Sequence, residues 1–182
     1  ALADILFGDY TPGGKLPITF PKTAGQLPAY NDTYEPWWEG RGYRYFDIHN
    51  LEPLFPFGHG VSYTQFTYSN FRVSPRTARY GDTVWIQVDI ANTGAINGEE
   101  VVQLYLHGAS YSTPYMVTRL RGFSRCALAP GEKKTVTFSL GDSDFEYFHT
   151  SGSRWRRAPG NYEVRIGASC TDIRHTVSFR VE

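Results

Sequence analysis

The chain has few of the residues that build covalently or metal-held folds. Among 182 residues there are two cysteines, Cys126 and Cys170, and thiols so far apart in sequence match no zinc or redox spacing. Buried free thiols are the first reading and a disulfide the second, should their strands prove adjacent. Net charge is lacking as well: Lys plus Arg and Asp plus Glu both count 18, so no field draws the chain to nucleic acid or anionic lipid. No apolar run approaches the roughly 20 residues of a membrane helix, and the opening residues lack the charged, apolar and small succession of a leader. No phosphate-cradling glycine loop, Gly-x-Ser-x-Gly elbow, internal repeat or low-complexity tract occurs. The five histidines, His49, His59, His107, His149 and His175, fall one to an element, so neither a metal nor a cofactor is expected.

Aromatics are abundant, at 16% of residues, beside 18 glycines and 11 prolines. They concentrate in Glu52-Pro53-Leu54-Phe55-Pro56-Phe57-Gly58-His59-Gly60-Val61-Ser62-Tyr63-Thr64. Proline fixes φ and glycine permits φ above zero, so this stretch reads as a rigid, bent junction. A chain of this length can bury roughly 70% of its unfolded surface. Ala1 to Phe7 has helical spacing with Gly8 at the C-cap position. The chain opens mid-element, without an initiator Met, and is expected to be the trailing part of a longer polypeptide. Lys15 to Pro21 reads as one short strand whose prolines exclude a central position. From 22 to 64 no period is sustained, and a long packed connection is expected, its aromatics lying over a domain.

From Phe66 onward the period becomes two. Val84, Ile86, Val88 and Ile90 alternate with Trp85, Gln87 and Asp89, and the same alternation marks Val136 to Leu140 and Tyr162 to Ile166. With Thr67 to Val73, Val101 to Leu106, Arg119 to Leu128 and Val177 to Val181, about seven strands are predicted. Turn signals such as Asn92-Thr93-Gly94 and Ala129-Pro130-Gly131 separate them, as in an antiparallel sandwich.

The junction, with Gly42-Tyr43-Arg44-Tyr45-Phe46-Asp47 upstream of it, resembles the linker near the C-terminus of glycoside hydrolase family 3 enzymes. Five motifs farther on resemble the fibronectin type III-like module that ends many of them. These are Asn92-Thr93-Gly94, Gly98 to Leu106, Leu120 to Phe123, Leu128 to Glu132, and Gly160 to Ser169. One departure is that Arg41 alone separates Glu39-Gly40 from Gly42-Tyr43. The resemblance implies a mainly β architecture in three parts. Residues 1–21 would end an α/β sandwich domain with one helix and one strand, 22–64 would form the linker, and 65–182 an immunoglobulin or fibronectin type III-like antiparallel β-sandwich. It also implies a parent that hydrolyses terminal β-linked glucose or xylose with retention, placed outside the cell or in the periplasm by its substrate class.

Retaining glycoside hydrolysis needs two carboxyl groups about 5 to 5.5 Å apart. Glu99, Glu132, Asp142, Asp144 and Glu163 read as solvated surface charges, and the resemblance puts the nucleophile and the acid upstream of Ala1. No catalytic residue is therefore assigned, and the chain alone is expected to be inactive. The best substrate-facing surface is Tyr34, Trp37, Trp38 and Glu39, since indoles stack on sugar rings and carboxylates accept hydroxyl hydrogen bonds. Packing between domains explains these four residues equally well. Asn31-Asp32-Thr33 is a glycosylation sequon, His59 reads as a structural histidine in a tight turn, and Arg154, Arg156 and Arg157 around Trp155 read as stacking and pairing residues. The expected partners are the upstream catalytic domains and a β-linked oligosaccharide, with no nucleic acid and no membrane. A stand-alone carbohydrate-binding or adhesion module is the alternative, and a homodimer-forming structural domain a third reading.

Overall fold

The computed structural model describes residues 2–28, 41–108, 118–149 and 152–182. Its strands are β1 (Phe66–Ser74), β2 (Thr77–Ala78), β3 (Val84–Asn92), β4 (Gly98–Gly108), β5 (Arg119–Leu128), β6 (Lys133–Leu140), β7 (Glu146–His149), β8 (Arg154–Arg157), β9 (Gly160–Gly167) and β10 (Ile173–Val181). Three form one sheet in the order β1-β3-β6, five form a second in the order β2-β10-β9-β4-β5, and β7 and β8 make a hairpin. Every pairing is antiparallel except the two-residue contact of β2 with β10, which is parallel. The two larger sheets enclose Val84, Ile86, Val88 and Ile90 of β3, Val102, Leu104 and Leu106 of β4, Val164 and Ile166 of β9, and Phe145 and Phe179. The alternation in the sequence thus places the sandwich core where expected, each fully buried Val or Ile contributing about 1.5–3 kcal/mol.

The segments ahead of the sandwich are short. Helix α1 (Leu2–Leu6) ends at Gly8, whose φ of 86° and N–H bond to the Ile5 carbonyl (3.1 Å) close the last turn. The Tyr63 hydroxyl donates to the same carbonyl at 2.8 Å, tying the helix end to the junction. The predicted strand at Lys15 to Pro21 does not form a regular strand: the chain bends at Pro17 and Ile18 and pairs at one bridge, Phe20 with Phe55. A second contact lies four residues back, where Leu16 N donates to His59 O and Gly58 N to Leu16 O, both 2.8 Å. Pro17 between the two contacts has no N–H to give, which keeps the ladder from being continuous.

Helix α2 (Tyr43–Ile48) lies within the stretch expected to be irregular. At six residues it is too short for a 3.6-residue period to show, and Tyr and Phe are poor helix formers. Tertiary contacts hold it: Phe46 is buried, and the Tyr43 ring stacks on Phe57 with centroids 4.8 Å apart.

Candidate functional site

Strand β4 carries a near-unbroken apolar run interrupted by one amide: Val101-Val102-Gln103-Leu104-Tyr105-Leu106. Such a run belongs to a strand covered on both faces. Val102, Leu104 and Leu106 face the sandwich core, and Val101, Gln103 and Tyr105 are buried on the other side. The cover there is the junction. Gln103 Nε2 donates to Gly58 O (3.2 Å) and Ala168 O (2.6 Å), while its Oε1 accepts from the Tyr105 hydroxyl (2.6 Å). Gly58 has φ of 81°, and a Cβ there would run into the Gln103 amide, so glycine is required on both counts. Tyr43 packs edge-on to Tyr105 and its hydroxyl accepts from Leu120 N at 2.9 Å. Burial raises the phenol pKa of both tyrosines above the ordinary range.

Beneath α2 lies a cavity of about 150 Å³ bordered by Thr19, Tyr43, Phe46, Asp47, Thr118 and Cys170. Both cysteines are free. Burial pushes the Cys170 thiol up to about 11, which leaves roughly a thousandth of it as reactive thiolate at pH 8. Iodoacetamide at that pH is expected to alkylate Cys170 roughly a hundredfold more slowly in the folded chain than in guanidinium. Mass spectrometry of the peptide containing Cys170 gives both rates, and equal rates would contradict the burial of this thiol.

Two polar clusters complete the junction. Lys15 Nζ lies 2.9 Å from Glu100 Oε1, with both side chains largely buried, and Glu100 also accepts from Val101 N at 2.8 Å. Asn92 is fully buried. Its Oδ1 accepts from Thr64 Oγ1 (2.6 Å) and Gly94 N (3.0 Å), and its Nδ2 donates to Ile96 O (2.8 Å) and Leu128 O (3.0 Å). One amide therefore joins the end of the junction to two turns of the sandwich.

The four residues offered as a substrate-facing surface, Tyr34, Trp37, Trp38 and Glu39, lie outside the described residues, as does the sequon Asn31 to Thr33. The acids read as surface charges are each engaged within the chain. Glu99 pairs with Arg125 (2.8 Å), Glu132 with Lys134 (3.0 Å), Asp144 with Arg121 (3.5 Å) and Glu163 with Arg165 (2.8 Å). Asp142 accepts from Gly81 N at 2.9 Å and lies 3.0 Å from Arg157 Nη1, a charge contact rather than an aligned hydrogen bond. Arg157 also sits over the Tyr80 and Phe145 rings, and Trp155 packs edge-on to Phe148, so of the three arginines it is Arg157 that takes the stacking and pairing role. His59 is structural through its main chain, with its ring against Phe55 rather than bonded to backbone. Among the described residues no cluster of three His, Cys, Asp or Glu could hold a metal.

Gln103, Glu100 and Asn92 were not singled out from the sequence. A lone polar residue inside a doubly apolar strand was the available signal for Gln103. Asn92 and Glu100 lie in the Asn92-Thr93-Gly94 turn and at the head of the Gly98 to Leu106 run, where a polar residue is ordinary and gives no signal.

Against known families, residues 1–63 match the sequence model described as glycosyl hydrolase family 3 C-terminal domain, and residues 100–170 that of the fibronectin type III-like domain. The chain is a C-terminal region of glycosyl hydrolase family 3. It is 40% identical over 188 residues to thermostable beta-glucosidase B of Acetivibrio thermocellus, covering 100% of this chain and 25% of that protein. It is 40% identical over 172 residues to a xylan 1,4-beta-xylosidase of Xylanibacter ruminicola, covering 94% of this chain and 19% of that one. The crystal structure of beta-D-glucoside glucohydrolase from Trichoderma reesei superposes with a TM-score of 0.86 at 32% identity, covering all of this chain and 28% of that one. The family 3 region thus spans about a quarter of the length of the relatives it matches.

Proposed function

We propose that this chain is the non-catalytic, scaffolding portion of a retaining family 3 hydrolase that releases terminal β-linked glucose or xylose. The observation that carries this reading is the fate of the five singled-out acids. Each ends on an arginine, a lysine or a backbone N–H of the same chain. None is left as one of two facing carboxyls that a retaining displacement requires. The relatives' names, beta-glucosidase and beta-xylosidase, support the substrate class.

The scaffold acts through its exposed apolar side. Leu2, Leu6, Phe7, Ile18, Leu54 and Val61 all project to solvent, Phe7 at 84% exposure, from the segments ahead of the sandwich. Large apolar side chains left in water in this number suit a surface that packs on further protein. The upstream catalytic domains of the same polypeptide are its partner, and the sandwich anchors the junction that carries it. We place the divisions at 21/22 and 64/65. Tyr34, Trp37, Trp38 and Glu39 remain the proposed contribution to the cleft rim.

The test is turnover of an aryl β-glucoside and an aryl β-xyloside by the purified chain. No release of phenol above buffer is expected, and hydrolysis at rates typical of such enzymes, on the order of 1–1000 per second, would overturn the reading.

A further inference from the structure

The junction covers the outer face of the five-stranded sheet; among the described residues, the outward side chains of the three-stranded sheet are mostly exposed. Alternation along β3 sends Val84, Ile86 and Val88 inward, each with no exposure, and Trp85, Gln87 and Asp89 outward. Polar residues are the usual occupants of such outward positions, and Trp85 is instead an indole with 53% exposure. Its register neighbours are Ser74 on β1 and Ser139 on β6. Side chains directly opposite have Cβ atoms about 5 Å away, so two serines leave both sides of the ring open. The next row is Arg72, Gln87 and Thr137, all exposed. A third row is locked: Asp89 accepts from Asn70 (2.7 Å) and Thr135 (2.6 Å) and pairs with Lys133 (2.8 Å).

We propose that this face, centred on Trp85, binds an extended β-linked polysaccharide. A protein partner would require an apolar interface core, whereas here one ring is surrounded by hydroxyl, amide and guanidinium groups. That mixture suits a ligand with apolar C–H faces and many hydroxyls. The indole stacks on a pyranose, Arg72 donates, and Gln87 and Thr137 both donate and accept. With Asp89 paired to Lys133, the charge remaining in these rows is the single guanidinium of Arg72, one donor for a hydroxyl rather than a basic cluster that calls for an acidic sugar. The Trp85 and Gln87 rows lie about 7 Å apart along the strand, a step comparable with one sugar ring. A β-linked backbone of equatorial bonds runs as a flat ribbon over such a sheet, and a coiled α-glucan does not. The strand beneath is fixed by the core, so the site is formed before ligand arrives.

Affinity electrophoresis of the 182-residue chain through gels containing mixed-linkage β-glucan, arabinoxylan or soluble starch tests this. Retardation by at least one β-linked polymer and none by starch is expected. Trp85→Ala should weaken retardation at least tenfold with an unchanged melting temperature, and Arg72→Ala or Gln87→Ala by roughly three- to tenfold, the equivalent of one hydrogen bond. Trp155→Ala, at the other exposed tryptophan among the described residues, should leave it intact. Unchanged mobility in both β-linked polymers, retardation that survives Trp85→Ala, or concentration-dependent self-association removed by Trp85→Ala would each overturn the proposal.

Discussion

Asn92→Ala is expected to lower the melting temperature of this chain by roughly 10 °C, from a loss of about 3 kcal/mol at 2–4 °C per kcal/mol for a chain of this size. The side chain has no exposure, and its removal strands Thr64 Oγ1 and the Leu128 carbonyl in the interior and leaves Gly94 N and the Ile96 carbonyl, both part-buried, without a partner. Each buried group left without a partner costs about 1–3 kcal/mol, though the carbonyls can still accept elsewhere. Thr64→Val is the informative control. It removes one donor while Asn92 Oδ1 keeps the Gly94 N–H, so a loss of about 1 kcal/mol is expected. Calorimetry or thermal circular dichroism ranks the two, and equal effects would show that the Asn92 amide does not hold the turns together.

Lys15→Met should cost about 2–4 kcal/mol by denaturant titration, because it leaves the Glu100 carboxylate largely buried without its cation. The effect is one of desolvation rather than of a strong bond. The double variant Lys15→Met/Glu100→Gln should therefore recover most of the loss, an amide being far cheaper to bury than an unpaired charge. Lys15 belongs to the segment ahead of the sandwich and Glu100 to β4, so the same cycle reports whether junction and sandwich unfold as one unit. A loss under about 0.5 kcal/mol, the range of ordinary surface changes, would mean that the junction is only loosely laid on the sheet.

The parts legible in the sequence are those in which one physical period dominates. Val84 to Ile90 alternates without a fault because one face of β3 is core and the other solvent, and the structure preserves that split residue by residue. The same rule predicted Thr67 to Val73, Arg119 to Leu128 and Val177 to Val181 to within a few residues. It was silent for β2, two residues long, and for β7, whose Glu-Tyr-Phe-His carries no alternation of polarity. It was silent again for α2, where Tyr43 and Phe46 are helical only because Phe57, Tyr105 and the sheet receive them.

The site divides in the same way. The turn and strand positions of the five acids were legible; that Asp142 and Asp144 are largely buried against Arg157 and Arg121, rather than solvated, was not. The double cover of β4 was written in Val101 to Leu106. What lay on it could not be read from periodicity, since Gln103 meets the junction through the main-chain carbonyl of Gly58 and the β9–β10 turn through that of Ala168, and any residue carries a carbonyl. Trp85 falls in step with the alternation of β3, but an indole at an outward position departs from the polar residues usual there, and that departure is legible in the sequence.

The central claim is that the reacting carboxylates of the full-length protein lie outside these 182 residues. The most direct measurement is to trap the full-length enzyme with a 2-deoxy-2-fluoro-β-glucoside, which forms a slowly hydrolysed glycosyl ester on the nucleophile, and to map the labelled peptide by mass spectrometry. The label is expected on an aspartate or glutamate upstream of Ala1. A labelled carboxylate anywhere between Ala1 and Glu182 would contradict the account.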